Sequence, residues 1–241
     1  MRRGVLVAAA ACLLAGPTVL AFFSGGFFAE PRLIAAIVTW ALVLALAVSG
    51  DPPLPRELPG ALALGGLAFL TVWSAVSIAW APLGGPAVET VQRLVLYTGA
   101  LAVAGTALRI PSLARAVEPA LAAGATIVIG YGLAGRLLPG AIHLARSERA
   151  GGRLEQPITY WNAEGLLAAV GLVLCARLAG DTSRPRAVRI LAAAAAVPLG
   201  AGVYLSYSRG AIAAALAGLL VLVAAAPSTA CLLYTSDAAD E

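Results

Sequence analysis

The sequence predicts an all-α, polytopic integral membrane helix bundle of about eight transmembrane helices, and two observations carry that prediction. The first is composition: the 241 residues are 61% hydrophobic and only 12% charged, with a mean hydropathy of +0.91. A soluble domain carries about 25% charged residues, so this chain lacks the polar groups to cover a wet surface. The second is block length: the apolar residues fall in runs of roughly 20, the helical length that crosses about 30 Å of hydrocarbon. Backbone polar groups find no water in lipid, so each run must be a helix or part of a closed barrel. Barrel strands require alternating hydrophobicity, which the runs do not show.

In chain order the predicted spans are Gly4–Phe23, Leu33–Val48, Gly60–Trp80, Val91–Leu108, Val117–Leu137, Asn162–Ala179, Val188–Ser206 and Ala211–Ala226. Arg2 and Arg3 before the first run fit a secretory signal, but the run is long for a signal core and further spans follow at once, so an uncleaved helix is expected. The connectors carry breakers: Ser24-Gly25-Gly26, Asp51-Pro52-Pro53, Pro82-Leu83-Gly84-Gly85-Pro86 and Ile110-Pro111. Small residues such as Ala192–Ala196 and Gly124, Gly130, Gly132 and Gly135 suit close helix approach in lipid, and a GC-rich codon bias would also produce them. Pro17 and Pro198 are candidate helix breaks.

All sixteen cationic side chains are arginines. With the N-terminus inside, nine lie on the cytoplasmic side (Arg2, Arg3, Arg56, Arg109, Arg115, Arg177, Arg184, Arg186 and Arg189). Seven lie outside (Arg32, Arg93, Arg136, Arg146, Arg149, Arg153 and Arg209). The connector Asp181–Arg189 is the best inside marker. The connector Leu138–Trp161 is then the longest outer loop and is unusually rich in arginine for that side. The arginines are scattered through short loops without interleaved aromatics, which argues against nucleic acid. Cys12, Cys175 and Cys231 build neither a zinc site nor a disulfide framework. Residues Cys231–Glu241 read CLLYTSDAADE and look like a translated transposon adapter, against a bland acidic tail. Residues 1–230 are therefore taken as one transmembrane domain, 231–241 as non-native, and the protein is expected to continue past Ala230.

Charged groups at a membrane edge are costly and need a partner or a purpose. Arg209 stands in Tyr204-Leu205-Ser206-Tyr207-Ser208-Arg209-Gly210, at the outer junction of two spans. A guanidinium there can hold a phosphate through two parallel hydrogen bonds, at a helix N-terminus that favours anions. Ser206 and Ser208 add hydroxyl donors, and Gly210 leaves room for a bulky group. Snorkelling to the interface is the structural alternative. A second cluster is Arg153-Leu154-Glu155-Gln156-Pro157-Ile158-Thr159-Tyr160-Trp161-Asn162-Ala163-Glu164. Pro157 favours an extended preceding residue, Asn162 suits an N-cap, and Trp161 suits the interface. Glu164, in the first turn of a span, can favour the helix N-terminus or pair with Arg153 or Arg209. Glu89 and Arg93, four apart, read as a helical ion pair. His143, the only histidine, has no visible acid or nucleophile beside it. No Walker loop, dinucleotide fingerprint, metal cluster or nucleophile elbow is present in the sequence.

The order and spacing of Arg153, Pro157, Tyr160 and Asn162, followed by Tyr207, Ser208, Arg209 and Gly210, resembles the O-antigen ligase and polymerase superfamily. The early outer loop Ser24-Gly25-Gly26-Phe27-Phe28 is similar to that family's as well. The resemblance covers nearly all of residues 1–230 and implies the N-terminal part of a larger protein of the bacterial inner membrane. It implies an inverting, metal-independent and cofactor-free glycosyltransferase that moves glycan from an undecaprenyl-diphosphate carrier to a glycan or glycolipid acceptor at the outer face. Under it, Arg153 and Arg209 neutralise the diphosphate, while Tyr160, Asn162 and Ser208 orient sugar or phosphate and Glu164 lies among the substrate-binding residues. The family's general base is a histidine after the Ser-Arg-Gly motif, beyond this chain, so the catalytic residue is not assigned and the fragment is expected to be inactive alone. A transporter or flippase of lipid-linked or small solutes is the alternative, and would call for repeated halves and broken helices. A scaffold would use the polar clusters only as interface anchors.

Overall fold

The computed structural model describes residues 2–50, 54–55, 57–140, 142, 144 and 147–225, and among them the regular structure is all helical. The chain forms two compact units, Met1–Val117 and Glu118–Glu241. Tail residues 226–241, His143 and the Asp51-Pro52-Pro53 breaker lie outside the described residues.

The first unit contains α1 (Arg2–Ala21), α2 (Ala29–Val48), α3 (Leu58–Ser77), α4 (Gly84–Ala107) and the short α5 (Pro111–Ala114). Between α1 and α2 the chain reverses through Ser24, Gly25 and Gly26, with φ of 55°, 66° and 72°, so the predicted breaker is a turn. α4 packs against α1, α2 and α3. Where α2 crosses α4, the Trp40 indole donates to the Val95 carbonyl at 3.0 Å. A Cβ on Gly99 would come within 2.9 Å of the Thr39 methyl, so the missing side chain sets the approach. Arg32 is 2% exposed and spends its donors on neutral acceptors, the Gln92 side chain at 2.8 Å and the Phe27 carbonyl at 2.6 Å. Arg93 pairs with Glu89 at 3.0 Å, the helical ion pair expected from their spacing.

The second unit holds α6 (Val117–Leu137), α7 (Trp161–Gly180), α8 (Arg186–Leu205) and α9 (Arg209–Ala225). Its core joins Ala125, Ile129 and Leu133 of α6 to Ala168 and Cys175 of α7 and to Leu199 and Val203 of α8. Glycines permit this spacing: a Cβ on Gly171 would meet Ala125 at 2.7 Å, and one on Gly202 would meet Ile129 at 2.5 Å.

Three sequence expectations are corrected. The fourth span was expected from Val91, but α4 begins at Gly84. The Gly84-Gly85-Pro86 lead is its first turn, where the absent proline N–H costs nothing because that N–H has no helical partner. Pro17 and Pro198 lie inside continuous helices and break neither. Asn162 is not the N-cap of α7. Tyr160 occupies that position, with Asn162 the second helical residue.

Among the described residues, six helical segments are long and apolar enough to cross a membrane: Arg3–Ala21, Ala29–Val48, Leu58–Trp80, Pro111–Leu137, Trp161–Gly180 and Arg186–Leu205. These are the segments of a multi-pass helical membrane bundle. α4 has the length, but Glu89, Gln92 and Arg93 fall in its first half, and α9 is apolar with 17 described residues.

Candidate anion-binding site

The two polar clusters meet at one end of the second unit, where α6 and α8 finish and α7 and α9 begin. Residues 147–160 form a strap across that end. The Glu155 carboxylate, 4% exposed, accepts from the Ser147 N–H at 2.7 Å and the Ser147 hydroxyl at 2.9 Å, closing the strap on itself. The Leu154 N–H donates to the Leu205 carbonyl at 2.9 Å, tying the strap to the end of α8. The Arg136 guanidinium at the end of α6 donates to the Gly152 carbonyl. Gly132 lets the strap lie against α6, since a Cβ there would stand 2.2 Å from the Gln156 carbonyl oxygen. The Gln156–Pro157 peptide is cis. Under the strap is a cavity of about 270 Å³ lined by Gly132, Gly135, Arg136, Gly152, Arg153 and Glu155, among others.

Arg153 is exposed, and its guanidinium carbon lies 4.9 Å from the centre of the Trp161 ring. The ring face attracts the cation and holds it at the mouth of α7 without neutralising it. Arg209 is the first residue of α9, exposed, with no partner among the described residues. The turn before it is fully specified. The Ser206 hydroxyl donates to the Val203 carbonyl at 2.8 Å and accepts the Ser208 N–H at 3.2 Å. Ser206 therefore offers no spare donor, contrary to the sequence expectation, because its hydrogen is committed within the end of α8. Ser208 accepts the Ala211 N–H at 3.2 Å and so caps α9. Its own hydroxyl hydrogen remains uncommitted among the described residues. Gly165 of α7 admits this turn closely: a Cβ there would lie 2.4 Å from the Ser206 oxygen.

Tyr160 is exposed beside Trp161, with ring centres 5.5 Å apart, and its hydroxyl accepts from the Asn162 amide at 2.9 Å. That leaves the phenol hydrogen available to a ligand. Glu164 is fully buried, and neither of its oxygens has a hydrogen-bond partner among the described residues. The pairing with Arg153 or Arg209 foreseen from sequence is thus not formed: Arg153 is stacked on Trp161, Arg209 is exposed, and the carboxylate is fully buried. No family model, curated protein or solved structure matches the chain.

The opposite end of the unit has a different electrostatic design. There Glu118 at the start of α6 takes Arg177 at 2.6 Å and Arg184 at 3.1 Å, and Arg184 also reaches Asp181 at 3.3 Å. Asp181 accepts the Ser183 hydroxyl at 2.6 Å and its N–H at 2.9 Å, which holds its carboxyl below the usual carboxylate range, with Arg184 adding to the effect. Described arginines at the strap end form no ion pair. Arg177 and Arg184 are thus paired with carboxylates at that end, while Arg153 and Arg209 at the strap end are not. Among the described residues no group of three His, Cys, Asp or Glu side chains is placed to hold a metal.

Sequence reasoning brought Arg153, Tyr160, Asn162, Glu164, Ser208 and Arg209 to this end. It missed the two residues that shape it, Arg136 and Glu155. The signal for Arg136 was its position as the last cation of a span facing an arginine-rich loop. Glu155 gave none, because its partner Ser147 is an ordinary loop serine.

Proposed function

We propose that the strap end of the second unit binds the diphosphate of a lipid-linked glycan. On this reading the chain is the N-terminal part of an O-antigen ligase or polymerase-like glycosyltransferase of the bacterial inner membrane. The observation that carries the reading is the pair Arg153 and Arg209: exposed guanidiniums, without counter-ions among the described residues, at one mouth of a membrane helix bundle. An undecaprenyl-diphosphate donor supplies the missing charge and keeps its chain in the bilayer. The topology that follows has about eight spans, with α4 and α9 among them, the N-terminus in the cytoplasm and the strap on the outer face.

In the transfer, an acceptor hydroxyl oxygen attacks the anomeric carbon while the bond from that carbon to the diphosphate oxygen breaks. The electron pair leaves with the diphosphate, and the acceptor proton passes to a general base. Arg153 and Arg209 stabilise the charge that develops on the leaving oxygen. Tyr160, Asn162 and Ser208 donate to sugar or phosphate, and Glu164, fully buried, makes no contact with the ligand.

The test is calorimetric titration of inorganic pyrophosphate into the detergent-solubilised chain and its R153Q and R209Q variants. Charge-assisted hydrogen bonds contribute about 1.5–3 kcal/mol each, so each variant should bind roughly 10- to 100-fold more weakly. Equal affinity in all three proteins would refute the site.

A further inference from the structure

Glu164 is a titratable group that the transfer itself does not use. It is fully buried in the first turn of a membrane helix, and both of its oxygens are without hydrogen-bond partners among the described residues. A carboxylate in such surroundings calls for a counter-charge or a proton. A metal ion would need several oxygen ligands. The polar backbone group turned toward Glu164 is instead the Ile158 N–H, a donor that does not reach hydrogen-bond geometry and would repel a cation. A proton needs only one oxygen. Glu164 also follows Trp161 by three residues, so the two share a face of α7, and Trp161 carries Arg153 on its ring.

We propose that Glu164 is a proton-binding site coupled to anion occupancy at Arg153: the carboxylate takes a proton from solvent when an anion settles on the guanidinium, and an ionised Glu164 weakens the anion's hold. The inference rests on the proposed diphosphate site. The coupling is electrostatic, because an anion held at this end and an ionised carboxylate buried in the first turn of α7 repel each other. Charged and titratable groups brought to this end by the packed elements are Arg136 from α6, Glu148, Arg149, Arg153, Glu155 and Tyr160 from the strap, Tyr204 near the end of α8, Tyr207 in the turn that follows, and Arg209 from α9. None of them hydrogen-bonds Glu164. Glu155 is committed to Ser147 and Arg136 to the Gly152 carbonyl, leaving Arg149, Arg153 and Arg209 as the cations an anion can reach.

The experiment is pyrophosphate binding between pH 6 and 9.5, with the solubilised full chain, E164Q and E164M, repeated in buffers of different ionisation enthalpy. Titration of pyrophosphate itself is common to all three proteins and cancels in the comparison. At the acid end the three should bind alike. At the alkaline end the wild type should bind about tenfold more weakly than either variant, the factor for unit charges on the order of 10 Å apart at an effective dielectric constant of about 20. It should also take up more protons on binding. Identical pH profiles and proton uptake in all three, with the R153Q loss intact, would overturn the coupling and leave the anion site standing. Binding indifferent to both Arg153 and Glu164 would overturn both.

Discussion

Substituting Gly132 by alanine tests whether the strap is set by contact with α6. The added Cβ would stand 2.2 Å from the Gln156 carbonyl oxygen, a backbone atom with no rotamer to escape through. Even a weak C–H···O contact keeps about 3.3–3.6 Å, so strap and helix must separate by about 1 Å. The strap resists, being pinned through Arg136 to Gly152, Leu154 to Leu205 and Glu155 to Ser147. Overpacking of this kind costs about 1–3 kcal/mol. At about 2–4 °C per kcal/mol for a chain of this size, G132A should melt about 2–12 °C lower. Because Arg153 rides on the strap, pyrophosphate affinity should fall with it. Gly130 is the control: two residues away on the same helix, a Cβ there meets nothing within 4 Å. G130A should gain about 0.5–1 kcal/mol from helix propensity and keep its affinity. Thermal unfolding and pyrophosphate titration on the solubilised proteins read both effects. If G132A matches G130A in melting temperature and affinity, the strap is not held against α6 as described.

Two further predictions concern the turn before α9 and the far end of the unit. S208A removes the oxygen that caps Ala211 and should destabilise by about 1 kcal/mol, while S208D, which keeps an acceptor there, should recover most of the loss. A melting temperature for S208A equal to wild type would refute the cap. Asp181 has a folded-state pKa below its unfolded value, through Ser183 first and Arg184 second. Its contribution to stability is therefore complete above the ordinary carboxylate pKa of about 3.9 and is lost as pH falls through the lowered folded value. Carboxyl carbon chemical shifts should place the Asp181 midpoint below about 3.9, and a midpoint at or above that value would count against the Ser183 bonds.

The sequence by itself determined that this is an apolar helical chain with multi-pass segments, because hydrophobicity is a local, additive property. Gly60–Trp80 and Val117–Leu137 were legible as spans to within a few residues, and the Glu89–Arg93 pair followed from helical spacing alone. Arg153, Tyr160 and Arg209 were legible as site candidates because polar groups at the ends of apolar blocks stand out. What each polar group does was not legible. Ser206 and Ser208 read as equivalent donors, yet one hydroxyl hydrogen is consumed by Val203 while the other is left over. Glu164 read as a partner for arginine, yet it is fully buried with neither oxygen bonded among the described residues. Glu155 and Arg136 were assigned no role, and they hold the strap. Tertiary structure decided these roles because a hydrogen-bond partner is chosen within about 3 Å. At the strap that distance is set by backbones meeting across Gly132 and Gly165, residues that announce themselves in the sequence only as an absence of side chain.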